Sequence, residues 1–134
     1  MRPATLAEVA TRRKTGEDFG VLLAEFLDTF YGALAIGTAQ GLIADEPECL
    51  PDPREHAMLG AAAEHLARRW SLSIPEWSND RSRFLRMPHF TSRLEGFKAL
   101  LIAESPLAFR RRLIFTEAEP FRRARMPTDA RDLH

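Results

Sequence analysis

Three observations predict an all-α fold, a single-domain bundle of five to six helices. Apolar residues recur at helical spacing, most clearly at Phe19, Leu22, Leu23, Phe26, Leu27 and Phe30. Helix-start signals punctuate the chain: Thr5 with Glu8, Asp52 with Pro53, Ser92 with Glu95, and Ser105 with Pro106. The 134 residues, 45% apolar and 28% charged, suit one folded domain around a modest core. That domain is expected over residues 1–126, with a flexible tail at 127–134.

The elements follow in order. Thr5-Leu6-Ala7-Glu8 reads as a capping box, Thr5 accepting from backbone N–H groups and Glu8 reaching back, and opens a short helix through about Arg13. Thr15-Gly16-Glu17-Asp18 starts the next, with acidic side chains suited to the positive end of its dipole. Beyond Phe30 comes an apolar stretch to Ile43 that contains Gly32, Gly37 and Gly41. The Gly37-x-x-x-Gly41 spacing predicts close packing against another helix. Prolines and four acids make the stretch from Asp45 to Pro53 a loop.

The third major helix opens at Asp52-Pro53, carries Leu59, Ala62, Ala63, Leu66 and Trp70 on its apolar face, and ends near Trp70. An irregular connection at about 71–92 includes a single turn at Arg83-Phe84-Leu85. A helix opened by Ser92-Arg93-Leu94-Glu95, with Leu94, Phe97 and Leu101, is apolar on most sides and is expected to be central. Ser105 caps the last helix; Phe109 and Leu113 face inward, while Arg110, Arg111 and Arg112 spread outward. Leu113 to Thr116 leaves the helix as a short extended segment.

Charge excludes some function classes. There are 19 basic and 19 acidic side chains, so the chain is not uniformly basic, as a generic nucleic-acid binder would be. The balance is uneven along the chain: a net of −4 over residues 1–70 and +4 over 71–134. The two halves can attract each other, or the basic half can face an acidic partner. No apolar leader and no bilayer-length segment is present, and the single cysteine fits a reducing compartment, so a cytoplasmic protein that does not enter membranes is expected.

Catalytic and metal-binding patterns are not found. His56 and His65 are nine residues apart on one helix, on opposite faces, and cannot share a metal ion. Cys49 lies in an acidic loop that disfavours its thiolate. The pairs Glu46/Glu48 and Glu117/Glu119 look like surface carboxylates. No catalytic residue, metal or cofactor is therefore expected. A groove-reading helix-turn-helix at the N-terminus would meet phosphates with Glu17 and Asp18, which repel them.

The second half carries a recognisable string: Trp77, Asp80, Arg83-Phe84-Leu85, Pro88, Phe90, Leu94, Leu101, Ser105-Pro106, Phe109, Arg112 and Ile114-Phe115. Over roughly residues 53–126 it resembles a helical domain of bacterial toxin–antitoxin-associated proteins, often found C-terminal to Xre-type helix-turn-helix regions. The resemblance implies a non-enzymatic protein-interaction module, antitoxin-like or accessory, with a cognate toxin as the kind of partner. The aromatics of the string serve equally as core anchors.

Candidate partner-binding residues are Trp77 and Phe90, which lie in irregular segments, and the cations Arg110, Arg111, Arg112, Arg122 and Arg123. The alternative function is a nucleic-acid-binding accessory that uses this Arg-rich C-terminal segment on phosphates. Self-association is left open.

Overall fold

A computed structural model describes residues 1–92 and 95–127. The chain is a small all-α bundle. Its helices are α1 (Leu6–Lys14), α2 (Phe19–Ala35), α3 (Gln40–Ala44), α4 (Pro53–Arg69), α5 (Lys98–Glu104) and α6 (Leu107–Arg110). Single 3-10 turns lie at Glu76–Asn79, Arg81–Arg83 and Glu95–Phe97. Two short strands, β1 (His89–Phe90) and β2 (Ile114–Phe115), pair in parallel, His89 beside Ile114 and Phe90 beside Phe115. Among the described residues no helix is long and apolar enough to cross a membrane. Residues 93 and 94 of the expected Ser92–Glu95 capping box, and the expected tail from 128 onward, lie outside the described residues.

Caps set the long helices. The Thr5 hydroxyl accepts from the Glu8 amide at 3.1 Å and opens α1. The expected return bond from the Thr5 amide to Glu8 is not formed; the Glu8 carboxylate faces Arg12 at 3.3 Å instead. The Asp18 carboxylate accepts from the Val21 amide at 2.9 Å, so α2 begins one residue after Asp18, with Glu17 outside it. The stripe Leu22, Leu23, Phe26, Leu27 and Phe30 is buried as its spacing predicts.

Past Ala35 the chain reverses at Gly37, whose φ of +78° is the left-handed conformation that favours glycine. Close helix packing is not what Gly37 and Gly41 provide. Both are exposed, and a Cβ at either would meet nothing within 4 Å.

Helix α4 is the centre of the molecule. Asp52 accepts from the Arg54 amide at 2.8 Å, and Pro53 sits in the first turn. From His56 to Ala67 every residue but Met58 is buried, on all faces, because α6 and the first two 3-10 turns pack against it. The expectation of a central helix near residue 100 is therefore corrected. In α5 only Leu101 is buried, and the helix lies at the periphery.

The C-terminal segment closes over the bundle. The Tyr31 hydroxyl donates to the Phe121 carbonyl at 2.6 Å. The His65 ring stands edge-on to Phe109 and Phe121, with centroids 5.3 and 5.7 Å away. After α6 the chain turns at Leu113, whose φ of 62° is unusual for a branched side chain and costs about 1 kcal/mol. That turn delivers Ile114 and Phe115 to the strand pair, within the extended segment expected over Leu113 to Thr116; Leu113 itself is the turn residue.

Candidate binding surface

The Arg-rich segment folds inward. Arg112 is fully buried, which corrects the expectation that all three consecutive arginines spread outward. Its Nη1 donates to Glu64 Oε1 at 2.6 Å and to the Ala108 carbonyl at 2.8 Å, and Nη2 donates to the Ser78 carbonyl. Arg111 donates to Glu64 Oε2 at 2.8 Å and to Asn79, and Arg68 reaches the same carboxylate at 2.7 Å. Burial alone would raise the Glu64 pKa, but the hydrogen bonds from Arg112 and Arg68 outweigh it and hold the carboxyl below its ordinary range.

A second buried cation, Arg83, lies beside the first. It donates to the His56 carbonyl at 3.1 Å and the Pro47 carbonyl at 2.9 Å, and its guanidinium carbon stands 4.7 Å from the Trp77 ring centroid. Both arginines cross α4 at Gly60. A Cβ there would lie 3.0 Å from Arg83 Cβ and 3.2 Å from Arg112 Nε. Arg112 is held by its pairing with Glu64 and Arg83 by the two carbonyls, with Glu46 4.0 Å away, so these groups fasten the second half of the chain onto α4.

The remaining candidate residues scatter. Trp77 is half-buried and donates from Nε1 to the Ile43 and Ala44 carbonyls, both at 3.2 Å, tying down the end of α3. Phe90 is half-buried and stacked on Phe115 at 5.2 Å, with the Lys98 ammonium 5.3 Å from its centroid. Arg110 is exposed and donates to the Ser105 carbonyl at 2.8 Å. Arg123 pairs with Asp28 at 2.8 Å, and Arg122 is exposed. The seven do not make one open surface. Arg111, Arg112 and Arg123 answer carboxylates of the acidic half within the fold.

One serine–histidine contact invites a catalytic interpretation. His56 Nε2 lies 2.9 Å from Ser82 Oγ. However, His56 Nδ1 is approached by the Leu50 amide at 3.3 Å and by an Arg83 N–H at 3.4 Å, both donors. Nδ1 must therefore accept, which puts the ring proton on Nε2. Ser82 accepts that proton's hydrogen bond and donates its own to Asp80 at 2.7 Å. An Nε2 that already carries a proton cannot take one from Ser82, so this arrangement does not activate a nucleophile. Burial, and then Arg83, lower the His56 pKa. Cys49 is exposed and unpaired, and among the described residues no group of three or more His, Cys, Asp or Glu is placed to hold a metal ion.

Two exposed features remain. The first is the corner formed by α5 and α6. Phe97 is 46% exposed, Leu100 and Ile102 48%, and Leu107 50%. Nine large apolar side chains are exposed among the described residues, and four of them lie in this corner, so the exposure is concentrated.

The second feature is a cleft of about 520 Å³ between the start of α4 and residues 81–89, with Arg54, Arg81 and Arg86 beside Phe84, Leu85 and Met87. Sequence reasoning missed both. Apolar residues on every side of α5 signalled the corner but were assigned to the core. Arg54 is far from Arg81 in the chain, and only the fold joins them. Glu64 had a signal, a lone carboxylate within an alanine-rich apolar face. Comparison of the chain with family models, with curated proteins and with solved structures finds no match.

Proposed function

We propose that the protein is a non-enzymatic protein-interaction module, of the antitoxin-like or accessory kind that the sequence resemblance implies, and that it docks its partner on the α5–α6 corner. The observation that carries this is that four of the nine exposed large apolar side chains among the described residues, Phe97, Leu100, Ile102 and Leu107, fall within residues 97–107. Covering such side chains contributes about 25 cal/mol per Å² of apolar surface, which gives the corner a standing gain from association. The exposed Glu104 and Arg110 lie in the same corner, so the fitting partner is a protein with an apolar face edged by groups of both charges; a cognate toxin would be of this kind. The serine–histidine contact is set up for structure, which agrees with a role without catalysis. A nucleic-acid role through the Arg-rich segment has less behind it, because Arg111 and Arg112 are held by Glu64 and Arg123 by Asp28.

Co-expression with the product of the adjoining gene, followed by size-exclusion chromatography, tests the proposal. Co-elution is expected for the natural sequence and is expected to be lost with Leu100→Asp plus Leu107→Asp, with the melting curve little changed. Separate elution of the two natural chains, or equal binding by the double variant, would contradict it.

A further inference from the structure

We infer that the cleft between the start of α4 and residues 81–89 binds a small organic polyanion. The ligand class is two or more phosphate or carboxylate groups on a compact apolar or planar body, about the size of a nucleoside diphosphate.

The charge distribution comes first. The chain has as many acidic as basic side chains, and Arg12, Arg13, Arg68, Arg111, Arg112 and Arg123 each face a carboxylate. Arg54, Arg81 and Arg86 line one cleft, are exposed, and their guanidiniums have no hydrogen bond or ion pair among the described residues. Three like charges left together without a partner repel one another, and a multiply charged anion relieves that repulsion. The planar guanidinium fork matches phosphate and carboxylate oxygens two at a time.

The cleft is also held in shape. Arg54 stands in the first turn of α4, behind the Asp52 cap. Arg81 begins a 3-10 turn in which Asp80 accepts from the Ser82 amide at 2.9 Å. The segment that carries Arg86 is fastened at both ends, the Leu85 amide to the Arg112 carbonyl at 3.3 Å and the His89 amide to the Leu113 carbonyl at 2.8 Å. The buried Arg112–Glu64 pair thus supports the backbone that shapes the cleft.

Volume and lining set the rest of the ligand. About 520 Å³ falls within the range of small-molecule sites. Phe84, Leu85, Met87 and Pro88 offer apolar surface to the part of the ligand that carries no charge. Three cations gathered in one cavity favour a compact polyanion over a strand that runs along a track. The site is separate from the α5–α6 corner, so the variant that tests partner docking should retain it.

The test is calorimetric titration of the whole protein at low ionic strength with ADP, pyrophosphate and citrate, with amide chemical shifts read in parallel. ADP is expected to bind more tightly than pyrophosphate and to shift residues 54 and 81–89. Comparing ADP with citrate separates a phosphate ligand from a carboxylate ligand. Each of Arg54→Gln, Arg81→Gln and Arg86→Gln is expected to weaken binding about threefold to tenfold, and Arg122→Gln to leave it unchanged. The variants alter exposed, unpaired side chains, and an unchanged melting curve confirms that they fold. No binding of any of the three anions would overturn the inference. So would full affinity in the triple variant, equal affinity for ADP and pyrophosphate, or a single-stranded oligonucleotide that binds more tightly than ADP.

Discussion

Arg112 Nη1 lies 2.6 Å from Glu64 Oε1, and neither side chain reaches solvent. Glu64 comes from α4 and Arg112 from just beyond α6, so this ion pair joins the two halves of the chain at the molecule's centre. Glu64→Gln or Glu64→Ala leaves Arg112 as a buried charge without its counter-ion, and stability is expected to fall by about 3–5 kcal/mol. Replacing both partners with apolar residues, Glu64→Leu with Arg112→Met, should cost much less than the sum of the single changes. Urea denaturation of the three variants measures this coupling.

Gly60 gives room to the two buried arginines. Alanine is the better helix former by about 1 kcal/mol, so on propensity alone Gly60→Ala would stabilise. The new Cβ would lie 3.0 Å from Arg83 Cβ and 3.1 Å from Arg83 Cδ, within a packed core. A net loss of about 1–3 kcal/mol is expected. Gly41→Ala is the control, because a Cβ there meets nothing within 4 Å, and it should be neutral or stabilising. Thermal melts should show a lower midpoint for Gly60→Ala and an unchanged or higher one for Gly41→Ala.

His65 predicts a pH dependence. Burial lowers its pKa to about 4; the field of Glu119 opposes this and Arg69 assists it. An unfolded histidine titrates near 6.5, so between that value and about 4 the unfolded chain binds more protons than the folded one. By linkage, stability rises with pH across this window and is lost as pH falls through it, by about 3 kcal/mol from this residue. In His65→Phe the slope of stability between pH 7 and pH 4 should flatten. An unchanged slope would show that His65 does not carry it.

The hydroxyl of Tyr31 holds the C-terminal segment by its 2.6 Å bond to the Phe121 carbonyl. Tyr31→Phe removes the donor and leaves a buried acceptor. A loss of about 1–2 kcal/mol is expected. Amide exchange should quicken most near Phe121 and Arg123, where the segment lies over α2.

The architecture was legible where local physics decides it. The caps at Thr5 and Asp52 and the stripe from Phe19 to Phe30 are short-range features, and the structure follows them; Asp18, expected inside the first turn of α2, caps it instead. The centre of the fold was not legible, because burial depends on what packs from elsewhere. Helix α5 has an apolar pattern all round and yet lies at the edge; α4 includes Glu64, His56 and His65 and yet is the core. Arg112 shows the same limit. Nothing in Arg110-Arg111-Arg112 says which arginine turns inward; that is set by a carboxylate 48 positions earlier in the chain. Likewise the cleft needed Arg54 to meet residues 81–89, a long-range event with no local mark.

Hydrogen-exchange mass spectrometry of the complex with the adjoining gene's product tests the docking claim most directly. Residues 97–107 are predicted to become protected on binding, with little change in α1 and the start of α4. Protection confined to other surfaces, or no change at 97–107, would contradict a partner seated on the α5–α6 corner.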